Sequence, residues 1–404
     1  MDSMEIWTGY FNLLKTIMGA GIVSYPLFFV EFGVVTATIL SCFSSLLTFS
    51  SLMMLCECAD YSKSKSKTFS SVLSKVWPNV AGMFNAVVFS KCFGVSVSYL
   101  VLLQPLLQYI FNLSSIQILH NMKYAHITLL YALIMLPICT MKDLRSLRFT
   151  SIIGVIGVYI CIAGSIYNYV IIKESTPRMP ATSLFNPPSY SWIGFAGQFI
   201  FSFTCHQNIF GIRANLTNPS IKSMRYIVAL GLGTALLLYI IFGVVVYLSY
   251  GSSIEDNVFN SFIDGPVKRV VFIFYTIFIS CSFPLQVHPA RDCVTDWMAQ
   301  IWPSTAVTKG TRPISNSTMC RIGSTAAIIA LSASLSLLPV GLSTIQTAIG
   351  GSASSIMCNF IPAICLMKLP RKKTGVEKTC AILLVAYGLL AFTGVFIKIA
   401  GNRK

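Results

Sequence analysis

The stretch FNLLKTIMGAGIVSYPL, Phe11 to Leu27, is an apolar run interrupted near its middle by Gly19-Ala20-Gly21 and followed through Pro26. Glycine weakens a helix and lets another group approach the backbone, while proline removes a hydrogen-bond donor. Backbone freed in this way at membrane depth is tolerated only where it is buried in protein or lines a cavity. The run therefore predicts a membrane span broken in its middle. A second run, WIGFAGQFIFSFTCHQNIFGI from Trp192 to Ile212, carries a polar knot at Thr204 to Asn208 in otherwise apolar surroundings.

The rest of the 404-residue chain agrees with a membrane reading. Charged residues make up 10% and apolar residues 55%, far from the balance of a soluble domain. This composition excludes a disordered chain, a nucleic-acid binder built on basic composition and an ordinary cytosolic enzyme. Roughly 220 apolar residues at about 20 per span cap the number of spans near eleven. Eleven candidates are read at 6–30, 33–57, 80–111, 125–141, 149–172, 190–212, 224–250, 267–288, 319–338, 341–367 and 377–400. The segments between them, the longest at 58–79 and 289–318, read as polar loops, so the whole of 1–404 forms one transmembrane domain. Nine of the thirteen cysteines fall in apolar stretches, where they act as small hydrophobes, and Cys56-Glu57-Cys58 is too tightly spaced for zinc. The first ten residues hold acids and no basic segment, so no cleaved signal peptide is expected.

The net charge of +16 is mostly an orientation signal. Nineteen of the 29 basic residues fall in one set of alternate loops and eight in the other, which predicts a cytosolic N-terminus. Asn112-Leu113-Ser114 then faces the opposite side as a glycosylation candidate, while Asn215-Leu216-Thr217 and Asn316-Ser317-Thr318 stay bare. Lys15 and Lys91 are the two basic residues inside spans.

Spans one and six begin two sets of five, helices 1–5 at 6–172 and helices 6–10 at 190–367, with helix 11 added at 377–400. Matching interruptions in two halves point to an inverted-repeat transporter, although the halves share no direct sequence identity. A half-helix starting at Gly19–Gly21 exposes N–H groups that suit a carboxylate. Carbonyls freed at the sixth break suit an ammonium, and the two together describe a site for the zwitterionic end of an amino acid. Close helix packing through small residues accounts for Gly19, Ala20 and Gly21 equally well when the first span is taken alone.

FNLLKTIMGAGI at Phe11–Ile22, KCFGVSVSYL at Lys91–Leu100, FTCHQNIF at Phe203–Phe210 and SFPLQVHPAR at Ser282–Arg291 resemble the amino acid/auxin permease family, in particular its fungal vacuolar and sodium-coupled neutral amino acid transporters. The resemblance runs from Phe11 to about Leu369. It implies an all-α polytopic membrane protein of eleven transmembrane helices, a LeuT-type 5+5 inverted repeat with helices 1 and 6 broken, and secondary transport of amino acids. By position, Gly19, Ala20 and Gly21 fall on the substrate-carboxylate turn, and Thr204, Cys205 and His206 on the sixth-span break. The resemblance also implies a sodium site made by span-one carbonyls and span-eight hydroxyls, for which Ser280 and Ser282 are candidates. Two departures stand out: Lys15 where the sodium-coupled branch usually has Asn, and Val287 where relatives commonly have Cys.

Ionisable groups inside a membrane are functional candidates because each costs at least about 2.5–3.5 kcal/mol at the bilayer centre. Lys15 lies about 12 Å beyond Trp7 along the helix, deep for a snorkelling side chain. Its ammonium either occupies the sodium region, making transport sodium-independent, or reaches the cytosolic vestibule. Lys91 faces a polar cavity with no partner that the sequence names. His206, the one histidine read well inside a span, either carries a proton or orders the break; Tyr99 either meets the substrate carboxylate or packs. The Ser-rich tenth span, Ser343 to Ser355, reads mainly as a close-packing element.

The expected activity is alternating-access transport of neutral or other small amino acids, with protons ahead of sodium as coupling ion and a vacuolar or lysosomal membrane ahead of the plasma membrane. An amino acid sensor of the same fold and a sodium-coupled symporter are the alternatives. The four scattered histidines and the lack of HExxH or GxSxG strings point away from an enzyme, so no catalytic residue, metal or cofactor is expected. The partners are the amino acid and the bilayer, without nucleic acid, and the chain is expected to be a monomer.

Overall fold

A computed structural model describes residues 3–63, 68–78, 80–120, 122–141, 148–175, 180–301 and 318–401. The 316–318 sequon and basic residues such as Lys142, Arg145 and Lys309 lie at least partly outside this set. The described chain is helical: α1 Ser3–Met18, α2 Tyr25–Phe32, α3 Val34–Ser62, α4 Phe69–Leu73, α5 Ala81–Asn112, α6 Tyr124–Cys139, α7 Arg148–Ser175, α8 Ser191–Phe203, α9 Ile209–Ala214, α10 Ile221–Tyr250, α11 Pro266–Ser282, α12 Pro284–Ile301, α13 Thr318–Ser336, α14 Leu342–Ile349, α15 Ile361–Lys368 and α16 Gly375–Gly401. Among the described residues, eight helices are long and apolar enough to cross a membrane, and nine if Met4–Met18 and Ala20–Phe32, bent by 43° at their junction, count as one. Many large apolar side chains point outward, Leu129, Leu133, Ile382 and Phe396 among them at 60% exposure or more, as lipid-facing surfaces require.

Local chemistry sets the helix ends. Ser220 caps α10, its Oγ accepting from Ser223 N at 3.1 Å. Gly33, at φ +77°, turns the chain from α2 into α3. Pro266 opens α11 and Pro284 opens α12, at first-turn positions where a missing N–H costs nothing. The core is aromatic where the two interrupted spans meet. Tyr25 of α2 stacks on Tyr239 of α10 at 4.3 Å between ring centroids, and Phe28 stacks on Phe199 of α8 at 4.1 Å.

Two segments expected as loops are helical. The α3 helix runs on to Ser62, and the stretch after 288 continues as α12 to Ile301. Polar residues disguised α12, and the fold shows why helix survives there. Arg291 is 5% exposed and donates to the carbonyls of Cys139 and Met141 at 3.1 and 3.2 Å, capping the C-terminal end of α6. Asp296 accepts from Ser70 and Asn85, at 3.4 Å each. The charge that made the segment look like a loop is thus paired inside the bundle.

Candidate functional site

The first interruption is built from Gly19. The α1 helix ends at Met18, Gly19 leaves helical geometry at φ −17°, ψ −137°, and Ala20–Ser24 form a tight 3₁₀ turn before α2 begins. A Cβ on Gly19 would sit 2.4 Å from the Tyr99 hydroxyl, so only glycine lets α5 approach this closely. Tyr99 is therefore brought against the turn, as the sequence allowed.

Carbonyls freed by the interruption are taken up by side chains from distant helices. The Tyr239 hydroxyl lies 2.7 Å from Ile17 O and 2.9 Å from Ser202 O, bridging spans one and six. Tyr275 of α11 donates to Gly19 O at 3.2 Å. Gln346 of α14 donates through Nε2 to Ala20 O at 3.0 Å and accepts through Oε1 from Ser24 Oγ. Sequence reasoning missed Tyr239, Tyr275 and Gln346. In an apolar run a tyrosine reads as packing, and each partner lies more than 220 residues from its carbonyl.

The second interruption follows Phe203. Thr204 is extended and Cys205 non-helical, after which His206–Asn208 form one 3₁₀ turn leading into α9. Thr204 Oγ1 donates back to Ile200 O at 2.6 Å. Asn208 Nδ2 donates to Thr16 Oγ1 at 3.0 Å, tying this turn to α1. His206 is wholly buried, with Nε2 2.9 Å from Ser51 Oγ. Ser51 gives its own hydroxyl hydrogen to Cys358 O, which assigns the ring proton to His206 Nε2 and leaves Nδ1 with no hydrogen-bond partner among the described residues.

The two intramembrane lysines are both enclosed. Lys15 is 0% exposed, in place of the solvent-reaching geometry that the sequence also allowed. Its Cε lies 3.5 Å from where a Cβ on Gly154 would be, with Phe278 beside the same point. The ammonium stem thus runs between α1, α7 and α11. The two serine candidates sit differently. Ser282 is buried and turns its hydroxyl back to Phe278 O at 2.9 Å, and Ser280 is half-buried on the same helix. Lys91, 2% exposed, donates to Gln286 Oε1 at 3.1 Å, which supplies the partner that the sequence could not.

His206 is not alone among buried histidines. His288 is 3% exposed on α12, its Nδ1 3.0 Å from Arg291 Nη2. Away from the interruptions, Glu57, Asp60, Tyr61, Arg371 and Glu377 line a hollow of about 440 Å³ at one end of α3 and α16. Arg371 is paired there with Glu57 and Glu377, which hold its guanidinium above the usual range. On a loop between α10 and α11, Asp256 accepts from Ser343 N at 3.1 and 3.2 Å; burial raises its carboxyl above the usual range, against the lowering effect of that N–H.

Solved transporters share this fold. A manganese transporter mutant from Eremococcus coleocola superposes with a TM-score of 0.62 at 13% identity, over 99% of this chain and 88% of its own. A Na⁺-coupled sialic acid symporter superposes at 0.56 with 12% identity, over 97% and 88%. In sequence, the chain is 28% identical to vacuolar amino acid transporter 5 of Schizosaccharomyces pombe over 87% of this chain and 81% of that protein. It is 25% identical to sodium-coupled neutral amino acid transporter 7 of Danio rerio over 96% and 84%. The family described as transmembrane amino acid transporter protein matches residues 2–400. The chain belongs to that family of transmembrane amino acid transporters.

Proposed function

We propose that the chain carries neutral or other small amino acids by alternating access, the substrate's backbone end lying between the interruptions of spans one and six. Family membership sets the class of activity as transport, not enzymatic catalysis. The observation that carries the finer reading is the joining of the two interruptions through Tyr239 and through Asn208 to Thr16. Gly19, Ala20 and Gly21 then serve the carboxylate, Thr204, Cys205 and His206 the ammonium side, and Tyr99 closes on the turn. The architecture we infer is eleven spans in a LeuT-type 5+5 inverted repeat plus one. Three spans are then added to the eight uninterrupted ones: the bent α1–α2 pair, the broken α8–α9 pair and the 16-residue α6. The N-terminus is cytosolic, from the excess of basic residues on that side, and the chain works as a single unit.

Coupling follows from how Lys15 and the first-span carbonyls are occupied. A sodium ion needs free oxygens from span one and hydroxyls from span eight. Here Tyr275 donates to Gly19 O, the Ser282 hydroxyl hydrogen goes to its own helix, and the buried Lys15 stem packs against α7 beside Phe278 of α11. These features favour sodium-independent, proton-coupled transport, with His206 and Lys15 as the proton-handling groups. A vacuolar-type membrane fits the fungal relative's name. Transport of labelled amino acids into liposomes under imposed proton or sodium gradients tests the reading: flux driven by protons and indifferent to sodium is expected. A full pH-gradient response in His206→Ala would remove His206 from the coupling.

A further inference from the structure

The tenth span reaches into the first interruption through Gln346 of α14. Gln346 is 0% exposed, and its carboxamide makes two hydrogen bonds inside the first interruption, donating to Ala20 O at 3.0 Å and accepting from Ser24 Oγ. A carboxamide presents an N–H donor and a carbonyl acceptor side by side. The α-end of an amino acid presents the same pair, an ammonium donor and a carboxylate acceptor.

The helix that bears Gln346 is anchored at one end and irregular at the other. Asp256 binds the Ser343 N–H at the start of α14, and Gln198 of α8 donates to Ser343 O and Thr347 Oγ1, each at 3.0 Å. Directly after α14 come two π-helical turns, Gly350–Ser354 and Ile356–Phe360. A π turn holds one residue more than an α turn needs, and such turns concentrate at functional sites. A Cβ on Gly350 would lie 1.8 Å from Gly197 O, so this segment lies directly on the backbone of α8.

We propose that Gln346 is an internal occupant of the amino acid site: its carboxamide holds Ala20 O and Ser24 Oγ until a substrate arrives whose ammonium, lying between the sixth-span break and the first, takes Ala20 O and whose carboxylate, beside the Gly19–Gly21 turn, takes Ser24 Oγ, with the π-helical segment as the hinge whose rewinding withdraws the side chain. This rests on the proposed transport reading and adds a competitor built into the protein. Removing the competitor must tighten apparent substrate binding, whereas a residue that only supports the fold would lower rate or abundance and leave affinity alone.

The test uses the full-length protein in liposomes and, of the twenty labelled L-amino acids, whichever gives the largest saturable uptake in the unmodified protein. Gln346→Leu lacks hydrogen-bonding atoms. Its half-saturation concentration is expected at least about fivefold lower than wild type, the low end of what loss of two competing neutral hydrogen bonds implies. Gln346→Met, apolar and unbranched, repeats the test independently of how leucine packs. Gln346→Glu keeps the acceptor but sets a negative charge against the substrate carboxylate, and its half-saturation concentration is expected to rise. A half-saturation concentration unchanged or raised in both apolar variants overturns the inference while leaving the transport reading intact. No saturable uptake of any amino acid by the unmodified protein would defeat both.

Discussion

At the scale of single residues, the first interruption depends on how closely Tyr99 approaches Gly19. Gly19 sits so close to the Tyr99 hydroxyl that a methyl group would overlap it at 2.4 Å, whereas the next ring atom is 3.3 Å away. Gly19→Ala is accordingly expected to lower transport at least tenfold while protein remains in the membrane. Tyr99→Phe, by deleting only the overlapping oxygen, should restore a good part of it. A double variant no better than Gly19→Ala alone would show that the clash is not the cause. Lys15 gives a second prediction at this scale. Its removal in Lys15→Asn vacates the space beside Gly154 and Phe278 and sets there the residue that the resemblance implies for the sodium-coupled branch. Uptake by this variant should become sodium-responsive; uptake equally indifferent to sodium would separate Lys15 from ion choice.

At the scale of elements, the membrane made some features legible and left others hidden. Gly19-Ala20-Gly21 and the Thr204–Asn208 knot announce their interruptions because little else interrupts apolar runs of that length. The partners of the freed carbonyls were not legible. Tyr239, Tyr275 and Gln346 come from helices far along the chain, and only the packing shows that their polar atoms converge on span one. The helical course of α12 was hidden for the opposite reason: its charges look solvent-seeking until α6 supplies carbonyls for Arg291 and the Ser70 and Asn85 side chains reach Asp296. Arg291→Ala leaves those carbonyls unmet within the protein and should cost about 1–3 kcal/mol, read as a lower thermal midpoint in detergent. A midpoint equal to wild type would mean that water replaces the guanidinium without loss.

At the scale of the whole molecule, the loop before α11 and the start of α14 are joined through the Asp256 carboxyl. Burial raises the Asp256 carboxyl above its unfolded value. A group with a raised folded pKa favours the folded state at low pH, and that contribution is lost as pH climbs through the folded value. Thermal stability in detergent should therefore improve as pH falls toward the ordinary carboxylate range, and Asp256→Asn should flatten that part of the profile. A profile unchanged in Asp256→Asn would assign the dependence elsewhere. Both interruptions and the enclosed Lys15 are proposed to serve one activity, amino acid flux without sodium. It is tested most directly by uptake into proteoliposomes under a fixed pH gradient, with external sodium replaced by choline. Concentrative uptake of a neutral amino acid, unchanged by the replacement and abolished when the pH gradient is collapsed, is expected. Uptake that collapses on removing sodium at constant pH would contradict it.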